Sequence, residues 1–211
     1  MLSLLNEIST GANTNAFGNT QETTPNVDAT YGEITEHGVS MILSKIDTTP
    51  DDIFLDLGSG TGRVVLQVFL EKNIESLGIE FIKKRYMMAE ESLLKLKEKI
   101  DNPKVHFVNG DFFTVNWSDA TIIIMCNTCF TEDVMDKIMM RLPTCKNLRY
   151  VIMLKQLEKK PEYLDVFESF NVPVTWTSET NVTIYKVNTD KIKRDKKSSR
   201  KTAIRKSRKK I

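Results

Sequence analysis

Little in this sequence could staple the chain or hold a metal. Its 211 residues contain three cysteines (Cys126, Cys129 and Cys145) and two histidines (His37 and His106). Three cysteines make no disulfide framework and point to a reducing, intracellular setting. Cys126-Asn127-Thr128-Cys129 has C-x-x-C spacing but lies far from the first strand–helix turn, so a redox role is not expected. Neither histidine has zinc-ligand spacing, and no metal is expected. No apolar run approaches the roughly 20 residues that cross a bilayer, which excludes a helical membrane span. Residues 1–8 lack the basic stretch that opens a signal peptide.

What remains is ordinary for a folded domain, with 40% hydrophobic and 27% charged residues. The charge is unevenly placed. Residues 191–211 carry 12 lysines and arginines against one acid, Asp195. The other residues carry 18 bases and 27 acids, so an acidic body bears a basic tail. The chain divides into 1–30, rich in Asn, Thr and Gly and largely irregular; a domain at 31–188; and the tail at 189–211. The run from Lys191 to Lys210 has too little apolar content to fold alone and is expected to be disordered. Such a run binds polyanions by releasing their counterions, without reading sequence. The other uses of such a run are nuclear import and solubility.

The chain is organised around 53–68. Ile53-Phe54-Leu55-Asp56-Leu57 is an apolar run with an acid near its end, Gly58-Ser59-Gly60-Thr61-Gly62-Arg63 is a glycine-rich turn, and Val64-Val65-Leu66-Gln67-Val68 begins a helix. This is the strand–loop–helix opening of a nucleotide-type α/β fold. No Lys-Ser/Thr pair follows the glycines, which excludes a phosphate-cradling P-loop. The spacing is G-x-G-x-G, and an acid ahead of the turn suits a ligand with an amino-acid or sugar end. S-adenosylmethionine (SAM) leads, and another dinucleotide or a plain structural turn remains open on the loop alone.

Before that stretch, Thr35 is placed to cap a helix with Val39, Ile42, Leu43 and Ile46 toward the core. After it, strands are expected at 76–80, 105–108, 120–125 and 150–154. Helices are expected at 81–100, with Tyr86, Met87, Leu93, Leu94 and Leu96 inward, at 131–142 and at 161–170. Segments 172–177 and 181–187 are spaced for a hairpin. Strands alternating with helices predict a mainly parallel sheet. By fold analogy the whole is a class I SAM-dependent methyltransferase: α/β, seven-stranded and Rossmann-like, with a C-terminal antiparallel hairpin.

Ligands of such sheets bind beyond the carboxyl ends of the strands. Here those ends carry Asp56; Glu80, about 20 residues past the loop and suited to ribose hydroxyls; Asp111-Phe112, suited to an adenine; and Asn127 with Phe130 nearby. Acids at three successive strand ends favour SAM. An NAD-type domain would need another loop and a catalytic partner domain.

Tyr31-Gly32-Glu33, the string from Asp56 to Val68, Gly110-Asp111-Phe112, Asn127-x-x-Phe130 and Val174-Thr175-Trp176-Thr177 occur in that order. Together they resemble the catalytic domain of the disruptor-of-telomeric-silencing (non-SET) histone-lysine methyltransferases, over about 30–187. The resemblance implies a cofactor, SAM. It implies that Tyr31, Gly32, Glu33 and Ile34 close over its methionine end and that Asp56, Gly58, Ser59, Gly60, Thr61, Gly62 and Arg63 form its loop. It further implies that Glu80 takes the ribose, Asp111 and Phe112 the adenine, and that Asn127 sits near the sulfonium. Tyr31, Asn127, Phe130 and Trp176 would form the transfer site. The implied substrate is a lysine in the core of histone H3 on the nucleosome, in the nucleus, with DNA or RNA held by the tail. The sequence departs from the family pattern at Cys126-Asn127, where the family has an asparagine pair, and at Arg63, where it has glutamine. A non-histone protein lysine, RNA, and a non-catalytic nucleic-acid-binding module are the alternatives. Methyl transfer to an amine needs alignment and desolvation, so no acid–base pair is expected.

Overall fold

The computed structural model describes residues 2–9 and 32–193. Tyr31 and most of the basic tail lie outside the described residues. Two helices precede the sheet: α1 (Leu2–Ile8) and α2 (Glu36–Leu43). Thr35 caps α2 as its sequence suggests, its hydroxyl accepting from Gly38 N at 3.2 Å. Then come β1 (Ile53–Leu57), α3 (Arg63–Lys72), β2 (Glu75–Glu80), α4 (Lys83–Lys97), β3 (Val105–Asn109), β4 (Ile122–Met125), α5 (Glu132–Arg141), β5 (Tyr150–Met153), β6 (Leu164–Val174) and β7 (Thr177–Val187). A 3-10 turn, Asn127–Cys129, lies between β4 and α5.

The seven strands form one sheet in the order β3-β2-β1-β4-β5-β7-β6. β1 to β5 pair in parallel, and β7 enters antiparallel against both β5 and β6. The order reverses at β1, which pairs with β2 on one side and β4 on the other. That switch point is where such a sheet opens a crevice.

Both faces are covered, which is why β4 and β5 are apolar throughout. Alternate residues of β4 enter opposite cores. Ile122 and Ile124 pack with α2, whereas Ile123 and Met125 pack with α5 and Trp117. α1 closes a further cluster, Leu5 and Ile8 lying on Leu66 and Phe69 of α3 and Leu93 and Leu96 of α4.

Three expectations are corrected. The segment expected as a helix at 161–170 mostly belongs to β6, an 11-residue edge strand paired along most of its length with β7. The hairpin therefore starts earlier than expected and turns at Thr175-Trp176 instead of near residue 179. On α4, Met87 and Leu94 point to solvent, at 58% and 61% exposure, while Leu93 and Leu96 carry the packing. The first residues of the segment read as tail pack on the domain. Residues 189–193 are helical, and Ile192 is buried against the core that holds Tyr163.

Candidate functional site

The turn after β1 is shaped by its hydrogen bonds. Gly58 N and Ser59 N both donate to Ile79 O, at 2.9 and 3.1 Å, and Gly62 N donates to Ser59 O at 2.9 Å. Gly62 needs to be glycine twice over. Its φ is +82°, and a Cβ there would lie 2.4 Å from the Phe107 ring. The turn is tied to β2 through Glu80, whose carboxylate accepts from Gly60 N at 2.8 Å and from Ile82 N at 2.7 Å. A carboxylate has further lone pairs, so these bonds leave Glu80 acceptor capacity for hydroxyls.

Above this turn lies a narrow cleft. Gly32, Glu33, Ile34, Asp56, Gly58, Ser59, Gly60, Arg63, Val64, Ile124 and Cys126 line it. Its front wall comes from the segment ahead of α2, which the tip of the β6–β7 hairpin holds in place. Ile34 bridges Val174. Thr175 N donates to Glu33 O at 2.9 Å, and Glu33 N donates to the Thr175 hydroxyl at 3.0 Å. The Thr35 hydroxyl donates to Pro173 O at 3.0 Å. The Trp176 ring covers Gly32 so closely that a Cβ there would sit 2.2 Å from it.

The cleft is electrostatically unbalanced. Burial pushes the Asp56 carboxyl up to about 8, and the charges of Glu80 and Glu33 push the same way. Burial also raises Glu80, against the backbone bonds that favour its charged form. Glu33 accepts from the Thr61 hydroxyl at 2.7 Å and faces Arg63 Nε at 3.6 Å. Arg63 Nη2 reaches Glu36 at 2.7 Å. The Cys126 thiol is pushed up to about 11, chiefly by burial and in part by Asp56, and so stays neutral. Two buried polar atoms of lining residues, Ser59 Oγ and Arg63 Nη1, have no hydrogen-bond partner. A buried acid pressed by two other acids, beside unused donors, fits a ligand with a cationic centre and a zwitterionic end. SAM has both.

Most of the expected cofactor residues gather here. Gly32, Glu33, Ile34, Asp56, Gly58, Ser59, Gly60 and Arg63 line the cleft. Thr61, Gly62 and Glu80 build it from behind. Asp111 and Phe112 follow β3 outside the cleft's lining. Asp111 Oδ1 accepts from Phe113 N at 2.8 Å, and the Phe112 ring lies 5.8 Å from that of Phe130. Phe130 also faces Gly58, 3.7 Å from where a Cβ would stand.

Asn127 is not among the residues that line the cleft. It is 1% exposed. Its amide closes a two-way pair with the Lys155 backbone, Nδ2 donating to Lys155 O at 2.9 Å and Oδ1 accepting from Lys155 N at 2.8 Å. The wall of the cleft comes instead from Ile124 and Cys126. Asp56 pairs with Ile124, so the two side chains share a face of the sheet, whereas Asn127 lies in the 3-10 turn beyond the end of β4. No local pattern in the sequence marked Cys126, whose place in the wall depends on which face of β4 meets the turn. Val64, at the start of α3, was also missed.

The strand order, the reversal at β1 and the acid-flanked glycine turn define the class I SAM-dependent methyltransferase fold. An RNA methyltransferase of Salinibacter ruber, solved with S-adenosyl-L-homocysteine, superposes with a TM-score of 0.51 over 71% of this chain and 89% of that one, at 21% identity. A SAM-dependent methyltransferase of Aquifex aeolicus gives 0.53 over 72% and 91%, at 13% identity. Within that fold, the family model described as histone methylation protein DOT1 matches residues 16–192, and the chain belongs to this family. Similar proteins include H3 lysine-79 specific histone-lysine N-methyltransferases. That of Emericella nidulans is 29% identical over 61% of this chain. That of Yarrowia lipolytica is 33% identical over 47% of this chain. The matches span 28% and 22% of those proteins' lengths. A protein-lysine N-methyltransferase of Saccharolobus islandicus is 29% identical over 45% of this chain and 58% of its own length.

Proposed function

We propose that this chain binds SAM in the cleft above β1 and transfers its methyl group to a protein lysine, with a lysine in the core of histone H3 on the nucleosome as the first substrate. One observation carries the reading. A match to the DOT1 family along residues 16–192 coincides with a cleft at the switch point whose floor acid, Asp56, is pressed by other acids. SAM supplies an electrophilic methyl on a sulfonium. The chain's own residues do the rest. Asp56 and Glu33 draw in the positive end of the cofactor, and Glu80 uses its spare lone pairs on ribose hydroxyls. Asp111 and Phe112 hold the adenine side. Cys126, Ile124 and Phe130 keep water from the transfer point, where a low-dielectric wall favours the neutral form of an incoming amine. Trp176, 48% exposed at the rim beside Gly32, flanks the lysine's approach. Asn127 braces the chain just beyond β4 through its paired bonds to the Lys155 backbone, and so steadies the neighbouring transfer site.

A histone substrate makes the chain a nuclear, chromatin-bound protein, and the basic run from Lys191 to Lys210 is suited to nucleosomal DNA or, secondarily, RNA. A second reading, a non-histone protein lysine, is favoured by the Saccharolobus relative's name. Radiolabelled SAM offered with nucleosomes, free histones and total RNA in parallel separates these readings. Label on histone H3 in nucleosomes, lost in Asp56→Ala, is the expected result. Label confined to RNA overturns the proposal.

A further inference from the structure

We propose that Arg141 is a positioning residue for the adenine subsite: from the end of α5 it fixes the peptide that orients the Asp111 carboxylate, and so sets which base is accepted. The inference rests on the SAM reading above and names a residue outside the lining of the cleft. Arg141 is the last residue of α5, and its side chain reaches the loop that follows β3. Nη1 donates to Phe112 O at 2.8 Å and to Phe113 O at 2.6 Å, and Nη2 donates to Val115 O. The guanidinium lies over the Trp117 ring, 4.4 Å from its centroid. Trp117 is buried, and its indole Nε1 donates to the same Phe112 O at 2.7 Å. Three carbonyls of one short loop are thus gathered on one planar fork, an arrangement that a lysine ammonium does not reproduce.

The bonds converge on one peptide unit. The peptide between Phe112 and Phe113 accepts from Arg141 and Trp117 through its oxygen, and its N–H, on Phe113, donates to Asp111 Oδ1 at 2.8 Å. A cationic donor on the oxygen polarises the N–H at the other side of the same peptide, which strengthens its hold on the carboxylate. The turn is closed behind it by Thr114 N, which donates to Asp111 O at 2.9 Å. One carboxylate oxygen is thereby committed, and the second keeps its lone pairs for a ligand, in a direction set before the ligand arrives. Adenine presents a donor there, its exocyclic amine. Hypoxanthine presents a carbonyl at the same place, and a carboxylate repels it.

Two ligands separate this role from a plain clamp on the loop. S-adenosylhomocysteine carries the amine, and S-inosylhomocysteine differs from it in the base edge alone. Both affinities are read by competition against labelled S-adenosylhomocysteine. The unmodified chain should prefer the adenine ligand by about 10-fold or more, the range for a hydrogen bond to a charged group. Arg141→Met should weaken S-adenosylhomocysteine by about 10-fold and leave S-inosylhomocysteine within about twofold, whose binding shows in the same preparation that the cleft is folded. Should that variant fail to fold, Arg141→Lys carries the same comparison, with part of the preference retained. Asp111→Ala should lose the preference outright, and adding it to Arg141→Met should cost nothing further, because both act through one carboxylate. Equal losses for the two ligands, or an unchanged preference, overturn the assignment and leave the SAM site standing. An unmodified chain without the preference overturns it too, since Asp111 then does not read the base. Failure of S-adenosylhomocysteine to bind the unmodified chain defeats the SAM reading and this inference with it.

Discussion

Asp56 is held in an unfavourable state at the floor of the cleft. Its carboxyl is 5% exposed, and burial together with Glu80 and Glu33 moves its titration up to about 8. The sign of the consequence is fixed by linkage. Between the unfolded value, about 4, and about 8, the folded chain holds a proton that the unfolded chain has lost. Stability in the free protein therefore declines as pH rises through that window and levels off above it. Asp56→Asn removes the titration, so its stability relative to the parent should grow across the same window and then stay flat, measured by denaturant midpoints across pH. A cationic ligand reverses the preference and draws the carboxyl into its charged form. Binding of S-adenosylhomocysteine near neutral pH should thus release protons, seen as a buffer-dependent heat in calorimetry, and Asp56→Asn should remove that release. The sequence already marked Asp56, because an acid ahead of a glycine turn is a local pattern. It did not mark Cys126 as a wall residue, because that assignment depends on which face of β4 meets the turn.

Elements were legible where their period was undisturbed. The parallel core strands read as apolar runs, and α2 announced itself through Thr35 and its inward spacing. β6 was misread because a bulge between Val166 and Glu168 shifts its register against β7. The extra residue breaks the two-residue alternation, and Tyr163, Leu164, Phe167 and Phe170 then fall at helix-like intervals. The error matters, because the relocated turn at Thr175-Trp176 is what pins the front wall of the cleft. Gly32 lets the Trp176 ring lie against the backbone, which a side chain at 32 would forbid. Gly32→Ala should push the ring away, cost roughly 1–3 kcal/mol as other overpacked contacts do, and weaken S-adenosylhomocysteine binding. Adding Trp176→Ala should recover much of that stability. Independent, additive losses in a double-mutant cycle would show that the two residues do not press on each other.

At the scale of the whole molecule, the acidic cleft and residues 189–193 lie at opposite ends of the parallel strands. The cleft lies at the carboxyl ends of β1 and β4. β7 runs the other way, pairing Lys186 with Tyr150, so the chain passes through 189–193 at the amino ends. Residues 189–193 belong to the packed body. Asn188 caps them through Lys191 N at 3.2 Å, Lys191 pairs with Asp165 at 2.7 Å, and Ile192 is 8% exposed. Cutting after Lys193 should leave thermal stability and S-adenosylhomocysteine affinity unchanged while nucleosome binding drops and loses most of its salt dependence. Cutting after Asn188 should also lower the melting temperature by several degrees, because it strips a buried isoleucine and leaves its site in the core unfilled. The front wall of the cleft has a different consequence. Its bonds join Glu33 and Thr35 to Thr175 and Pro173, residues 138 to 142 positions apart. Contacts across so long a loop form late, since closure entropy must be met first. During synthesis the ribosome can release β1 to β5 and let them pair while the cleft still lacks its front. Competence to take up the cofactor therefore arrives only when the hairpin has emerged, and the binding site itself reports that the domain is complete.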